Sequence, residues 1–260
     1  MTAARGHYRF RHVARMEWIK LRTLRSTWWT IGIGVAGAVA IGVAVGHGTK
    51  NASGDLTNNA LAGMVPGLLL AGVLGVLVMT SEYSSGTIRG TLAAIPGRPL
   101  LLAAKAAVFG AVTLAAGEVA AFASFFAVGA TLPHGIPAPA LGQPGVLRAV
   151  LLSGTSFCLI GLLGLGLGAV IRHSPAAIGV LVGGVYVLAQ VIGAVAHGAR
   201  EFMPILIIGN SLSTTRPLTC DDPAGPCAQP LPAWTGLGML CLYAAVALAA
   251  GGWLLARRDA

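Results

Sequence analysis

Glu118 is the most unusual of the side chains in this sequence that could do chemistry. It lies thirteen residues beyond Lys105, inside a long apolar run. A charged carboxylate in the hydrocarbon of a membrane costs several kcal/mol, so an acidic residue there is by default a functional candidate. Two interpretations stay open: Glu118 is protonated and hydrogen-bonded to a neighbour such as Gln190, or it lines a path for a substrate.

Cys220 and Cys227 form the second candidate pair. They bracket the sequence DDPAGP within residues 197–233, which we place outside the cell, where oxidation is permitted. Either the two thiols form a small-loop disulfide or both remain free. A zinc site is not indicated, because it needs four ligands and no second Cys or His pair lies near.

The apolar patch at 202–208 is too short to cross a membrane and could dip into its outer interface and return.

The sequence lacks the motifs by which a chain hydrolyses a nucleotide or a peptide bond. It contains no GxxxxGK(S/T) phosphate loop, no HExxH motif and no GxSxG elbow. The run GIGVAG at 32–37 matches a dinucleotide fingerprint, but it lies within an apolar stretch with no preceding strand. We expect its glycines, and those at 161–168, to let helices pack closely. The chain is therefore not expected to be an enzyme or to bind a cofactor itself.

The composition indicates that membrane helices position these residues. The chain is 55% hydrophobic and 10% charged, and its mean hydropathy is +0.79, which is too apolar for a water-soluble surface. A spanning helix needs about 20 mostly apolar residues. Six runs meet this requirement: 28–46, 61–81, 100–130, 147–171, 176–196 and 234–256. We predict an all-α integral membrane protein with a single transmembrane domain over residues 1–260.

The 17 lysines and arginines give the predicted orientation, because basic residues that flank spans stay on the cytoplasmic side. With six spans, thirteen of them fall on one side and four on the other. We therefore expect a multi-pass protein of a bacterial cell membrane with both termini in the cytoplasm. Contact with anionic lipid is sufficient to explain the net charge of +9, so no nucleic-acid partner is expected.

Residues 1–27 are predicted to form an amphipathic helix that lies in the membrane interface and then turns into the first span. Its basic face carries four arginines: Arg11, Arg15, Arg22 and Arg25. Its opposite face carries five apolar residues: Phe10, Val13, Leu21, Leu24 and Trp28. Glu17 interrupts the apolar face and Trp18 the basic face, so the segregation is imperfect. The alternative is a basic leader that only fixes the topology.

A polar segment, residues 82–98, separates the second and third predicted spans on the cytoplasmic side. Ile88, Leu92 and Ile95 recur at positions i, i+4 and i+7, as on one face of a helix. Pro96 then prevents the helix from continuing. We predict a short amphipathic helix on the cytoplasmic face, held at both ends by membrane spans, which could act as a lever.

At these residues the sequence resembles the membrane subunits of ATP-binding-cassette (ABC) transporters of the type-2 export class, which include antibiotic-resistance and drug-efflux permeases. In that family the second span ends in Glu, followed by a Gly-Thr pair, an aliphatic stretch, Pro, Arg and a Lys that opens the third span. The matching residues are Glu82, Gly86, Thr87, Leu92, Pro96, Arg98 and Lys105. The basic N-terminal helix, six spans and a long outer segment after the fifth span are also similar.

The resemblance implies that residues 82–98 form a coupling helix that docks on a separate ATPase. Two ATPase subunits would bind ATP and Mg, and this chain would pair with a second permease copy or a paralogue around the translocation path. Glu82 would accept a hydrogen bond from the N-terminal helix or pair with its arginines, while Arg89 and Arg98 would meet acidic groups on the ATPase. Each of these charges is otherwise a solvated loop charge that contributes little.

Two other functions are also compatible with the sequence. In the first, the chain is a self-sufficient, proton-coupled secondary transporter in which Glu118 carries the proton. In the second, it is an accessory membrane protein that anchors or senses without transporting. The largely uncharged spans suggest a hydrophobic or amphipathic cargo. A genome rich in Ala and Gly codons would, however, produce the same uncharged helix surfaces.

Overall fold

The computed structural model describes residues 9–49, 55–95, 97–133, 136–188, 191, 202–214 and 231–257, and this part of the chain is helical without a strand. The elements follow in chain order: α1 (Phe10–Thr23), α2 (Arg25–His47), α3 (Leu56–Ala60), α4 (Met64–Ser84), α5 (Thr87–Ala94), α6 (Arg98–Thr131), α7 (Val146–Ile171), α8 (Ser174–Val182), a π-helical segment (Gly183–Val187), α9 (Pro204–Leu212) and α10 (Ala233–Arg257). The prediction of an all-α fold is confirmed for these residues.

Five helices of the described chain are long and apolar enough to span a membrane: α2, α4, α6, α7 and α10. Their most apolar windows have mean hydropathies between 1.9 and 2.1. Each overlaps one of the runs that the sequence predicted, and most boundaries agree within three residues. The described part of the chain therefore has the helices of a multi-pass membrane protein.

The remaining predicted span, 176–196, begins as α8 and the π-helical segment, which run antiparallel to α4. The Ser174 hydroxyl donates to the Thr80 hydroxyl at 2.7 Å, and the Tyr186 hydroxyl donates to the carbonyl of Val65 at 2.9 Å. These partners are fifteen residues apart on α4, or about 22 Å at 1.5 Å per residue. The end of this predicted span lies largely outside the described residues, so the count of six stays a prediction.

Helix α7 is the centre of the bundle, where it packs against α4, α6 and α10. Gly164 of α7 lies so close to Gly72 of α4 that a β-carbon on it would overlap the Gly72 carbonyl. Small residues are therefore required at this contact, as predicted for the glycines at 161–168. A β-carbon on Gly32 or Gly37 would meet no atom of the described chain within 4 Å. For those two the prediction of close packing is wrong within the described residues.

Helix α1 ends at Thr23, and the extended backbone of Leu24 turns the chain into α2. The predicted apolar face of α1 is divided. Val13, Glu17 and Leu21 follow one another at intervals of four residues and face the protein, with at most 4% of their surface exposed. The other apolar residues of that face are exposed: Phe10, Leu24 and Trp28. The packed face thus includes an acidic residue, which requires a charged partner.

Asp55 ties two short helices together at the opposite end of the bundle. One of its carboxylate oxygens accepts from the amides of Thr57 and Asn58 at 3.1 and 3.0 Å, which caps α3. The other accepts from the amide and hydroxyl of Thr214, just after α9. Helix α9 covers most of the apolar patch at 202–208, and its nine residues are too few to cross a membrane. Its re-entrant character stays a prediction.

Candidate functional site: the α1–α5 junction

The chain leaves α4 through a glycine turn. Gly86 has φ +71° and ψ 0°, a left-handed conformation in which a β-carbon would crowd the backbone. The Thr87 hydroxyl lies 2.9 Å from the Ser85 hydroxyl across this turn. A residue other than glycine would be strained at position 86, so the glycine allows α5 to begin with only two residues between it and α4.

Helix α5 is amphipathic, and its apolar side packs on α1 and α6. Ile88 and Ile95 are 3% and 4% exposed. Ile95 shares a small core with Val13 of α1 and Leu101 of α6, and the half-buried Leu92 packs against it. The opposite side of α5 is exposed: Thr87, Arg89, Gly90, Ala93 and Ala94. A helix thus lies inside the predicted range 82–98, although it is shorter.

A compact group of charges joins four helices beside this core. Lys105 Nζ of α6 donates to Glu17 Oε2 of α1 at 2.6 Å and to Glu82 Oε1 of α4 at 2.8 Å. Lys20 Nζ of α1 lies 3.3 Å from Glu17 Oε1, 3.1 Å from Glu82 Oε1 and 3.4 Å from the Thr91 hydroxyl of α5. We call these five residues the α1–α5 junction.

The junction contains two carboxylates and two ammonium groups, so its formal charge is balanced. Lys105 and Glu17 are each 2% exposed and Glu82 is 9% exposed. Buried ions are stable only when paired and hydrogen-bonded, and removing one partner typically costs about 3–5 kcal/mol. The junction therefore holds α1, α4 and α6 in one arrangement.

Lys20 is the most exposed of the four charged residues of the junction. Partial burial disfavours its ammonium form, but attraction to Glu17 and Glu82 outweighs burial and raises the pKa of Lys20 above its ordinary value. Lys20 consequently stays protonated at physiological pH and connects the ion pairs to α5 through Thr91.

The length of α6 allows Lys105 to be charged. With 34 residues, α6 is about 51 Å long at 1.5 Å per residue, whereas the hydrocarbon core of a bilayer is about 30 Å thick. The helix therefore extends beyond the hydrocarbon. Lys105 is seven residues from its first residue, Arg98, in the part nearest α5.

Sequence reasoning found Glu82 but missed two of its neighbours. Of the two alternatives for Glu82, the structure shows the hydrogen bond from the N-terminal helix, and the donor is Lys20 rather than an arginine. Glu17 and Lys20 were not predicted as site residues. The available signal was an acid four residues from both Val13 and Leu21, on the packed face of a basic helix.

The other charged residues that were predicted to take part in coupling lie outside the α1–α5 junction. Arg89 is exposed on α5. Arg98 Nη1 donates to the carbonyl of Leu255 at 3.0 Å, which places the end of α10 beside the start of α6. Pro96 lies outside the described residues. The four arginines of the predicted basic face are all exposed: Arg11, Arg15, Arg22 and Arg25.

Glu118 lies between α6 and α7, away from the junction. The Thr155 hydroxyl donates to Glu118 Oε1 at 3.4 Å, and Glu118 Oε2 is buried without a hydrogen bond among the described residues. A β-carbon on Gly154 would come within 2.5 Å of the Glu118 carboxyl carbon, so this glycine makes room for the side chain. Its predicted neighbour Gln190 is outside the described residues.

The predicted disulfide pair, Cys220 and Cys227, is also outside the described residues. Cys158 and Cys241 are free thiols. The Cys158 thiol of α7 donates to the carbonyl of Gly110 of α6 at 3.3 Å. Cys158 thus takes part in helix packing, whereas Cys241 is exposed on α10, and the state of the outer pair stays a prediction.

The long apolar helices and the short amphipathic helix between two of them are those of a multi-pass membrane protein. Residues 37–260 match the family model of the ABC-2 family transporter proteins, which is most of the chain. The protein belongs to the ABC-2 family, as its resemblance predicted. Membership identifies a membrane component of a transporter that works with an ABC ATPase. A comparison with curated proteins finds no match.

Proposed function

We propose that this chain is the permease subunit of an ABC exporter and that α5 transmits movement of a separate ATPase to the membrane helices. Closure of two ATPase subunits around ATP and Mg would displace α5. The displacement would tilt α4 and α6 and change the access of a central path from one side of the membrane to the other, as in rigid-body switching. ATP hydrolysis would take place in the partner, not in this chain.

The observation that carries this proposal is the buried bridge from α1 to α4 and α6. Glu82 is at the end of α4, five residues before α5 begins, and it accepts from Lys105 of α6. Lys20 adds a bond to Thr91 within α5 itself. A force on α5 would therefore reach both membrane helices and α1 together, because α5 follows α4 directly and Lys105 joins α1, α4 and α6 through short, buried, charge-assisted bonds.

The exposed side of α5 suits a protein partner. Gly90, Ala93 and Ala94 are small, so another surface could approach the helix closely. Arg89 adds one positive charge to this side, which would complement an acidic group on the ATPase. Charge complementarity of this kind favours correct docking and faster association.

The topology supports the proposed orientation. Arg98 contacts Leu255, so the end of α10 lies at the same end of the bundle as α1 and α5. This end carries the predicted excess of basic residues, which favours the cytoplasm for both termini of a protein in the cell membrane. Helices α2 and α10 are the least buried of the five long helices, which leaves apolar surface for lipid and for a second permease copy or paralogue.

The cargo is proposed to be hydrophobic or amphipathic, because the long helices carry few charges. The test is the rate of ATP hydrolysis by the complex of this chain with its ATPase, measured across a panel of lipophilic compounds. A transported compound should stimulate the rate. If only charged hydrophilic compounds stimulate it, the proposed cargo class is wrong.

Coupling through α5 is tested by affinity purification of the tagged chain from membranes that also contain its ABC ATPase. We expect Arg89→Glu to lower the retained ATPase about tenfold, which corresponds to about 1.4 kcal/mol. Arg257→Glu, a charge reversal on α10 at the same end of the bundle, is the matched control. If Arg89→Glu and the bulky Gly90→Trp both retain wild-type amounts of ATPase, α5 is not the docking helix. If the wild-type chain retains no ATPase, the accessory function is favoured.

A proton-coupled transporter is the second candidate, and the position of Glu118 favours it. Its Oε2 atom is buried without a hydrogen bond among the described residues, so the side chain could accept and release a proton. Transport in vesicles distinguishes the candidates. The proton-coupled mechanism predicts that a protonophore and Glu118→Gln each abolish uptake, whereas the proposed ABC mechanism predicts that only loss of ATP does so.

A further inference from the structure

A groove on the outside of the bundle has no place in the coupling mechanism. Helix α6 provides most of its lining and forms its floor, α1 and α2 line the rest, and its volume is about 820 Å³. Apolar side chains line almost all of it, with two tryptophans, Trp18 and Trp28. Among the described residues, Arg15 of α1 is the one charged member of the lining. The groove therefore combines a long apolar floor with a single cation.

The length of the groove corresponds to one leaflet of a bilayer. Its floor on α6 extends from Ala107 to Val119, which is twelve residue steps and about 18 Å at 1.5 Å per residue. Half of a hydrocarbon core is about 15 Å. Ala111 and Ala115 are exposed along this floor, and their small side chains leave room for a chain of methylene groups beside α6.

The chemistry near α1 matches a phospholipid head group. The guanidinium of Arg15 is exposed, and arginine binds phosphate through two parallel hydrogen bonds. Tryptophan rings such as that of Trp18 are favoured at the level of lipid head groups. A second copy of this chain fits the groove less well, because it would bury the Arg15 charge against an apolar surface unless it also supplied an acidic partner.

We propose that the groove binds one anionic phospholipid, with the phosphate at Arg15 and an acyl chain along Ala107, Ala111 and Ala115. Assigning this lipid to the cytoplasmic leaflet depends on the proposed orientation. The binding itself does not depend on the ATPase or on the cargo. The lipid would fill the space beneath α1 and support the helix that also carries Glu17 and Lys20.

The test uses the purified full-length chain in phosphatidylcholine nanodiscs. A small fraction of phosphatidylglycerol or of phosphatidylcholine carries a photoactivatable diazirine in its acyl chain, and labelled peptides are mapped by mass spectrometry. We expect phosphatidylglycerol to label the α6 segment around Ala111 about fivefold more than phosphatidylcholine does, since one basic residue near an anionic lipid contributes about that factor. Arg15→Gln should remove the preference, and Ala111→Phe should abolish labelling of the segment by both lipids.

Arg11→Gln is the matched control, because Arg11 is an exposed arginine of the same helix that does not line the groove. It should keep the preference. Equal labelling by both lipids in the wild-type chain, or an unchanged preference in Arg15→Gln, overturns the proposal. Disulfide cross-linking between two copies of an Ala111→Cys variant, with loss of lipid labelling, would show that a second copy occupies the groove. Since the readout is lipid labelling, failure of the proposed transport function would leave this result unaffected.

Discussion

The α1–α5 junction and the α6–α7 contact each hold an acidic side chain between helices, but in opposite ways. Glu82 accepts from two lysines at 2.8 and 3.1 Å. Glu118 has a long hydrogen bond of 3.4 Å from Thr155, and the described residues provide no ion pair for it. A paired carboxylate fixes the positions of helices. The stability of an unpaired carboxylate depends instead on the space around it and on whether it is protonated. The two sites should therefore respond differently to substitution.

Loss of Lys105 should have the largest effect of any single change at the two sites. Lys105→Met would leave Glu17 and Glu82 buried without their shorter bonds and should cost about 3–5 kcal/mol. The measurement is the apparent melting temperature of the purified chain in detergent, together with its yield. Glu118→Gln is the comparison, and we expect less than about 1 kcal/mol from it, because no ion pair is lost. Equal losses in the two variants would contradict the distinction between the sites.

Filling the space at Glu118 should have the next largest effect. A methyl group on Gly154 would overlap the Glu118 carboxyl group, which is the movable end of its side chain but has one buried oxygen, so Gly154→Ala should cost about 1–2 kcal/mol, in the lower part of the range for overpacked sites. The double variant Gly154→Ala/Glu118→Ala should recover most of this loss in the same melting assay. Gly179→Ala is the control, because its β-carbon would meet open space. Additive effects in the double variant would show that the overlap is not the cause.

Two glycines near the start of α5 should respond to alanine substitution in opposite directions. Gly86→Ala places a β-carbon in the left-handed region and should cost about 1–2 kcal/mol. Gly90→Ala lies within α5 with open space around it and should stabilise the helix by up to about 1 kcal/mol. Hydrogen exchange of the α5 amides should therefore become faster in the first variant and slower in the second. The same direction of change in both would argue against the turn geometry.

Lys20 should have the smallest effect, because it is partly exposed and solvent screens its ion pairs. Lys20→Met should cost about 0.2–1 kcal/mol. Since the folded state raises the pKa of Lys20, the contribution is fully present below the unfolded pKa of about 10.4 and is lost as the pH rises through the folded pKa. The difference in melting temperature between wild type and variant should be constant from pH 7 to 9 and should disappear only at a pH above the folded pKa of Lys20. A difference that persists there would mean that packing, rather than charge, is responsible.

Much of the fold could be predicted because a membrane restricts it. Five of the predicted runs are long helices at nearly the predicted positions, since apolar runs of about 20 residues have few alternatives in lipid. The helix at α5 also follows from the spacing of Ile88, Leu92 and Ile95. The partners of Glu82 could not be derived in this way, because Lys20 and Lys105 are far from it along the chain. Their proximity depends on how α1 docks across α4 and α6.

The sequence by itself determined that this is an all-α membrane protein of the ABC-2 family, because hydropathy and a local motif are properties of consecutive residues. Only the tertiary structure decided that Glu17 and Lys105 pair, that Gly154 makes room for Glu118 and that α1, α2 and α6 enclose a groove. Each of these arrangements arises where separate helices meet. Side-chain contacts between helices depend on how each helix is rotated about its axis and how far it is shifted along it. The periodicity of a single helix leaves both undetermined.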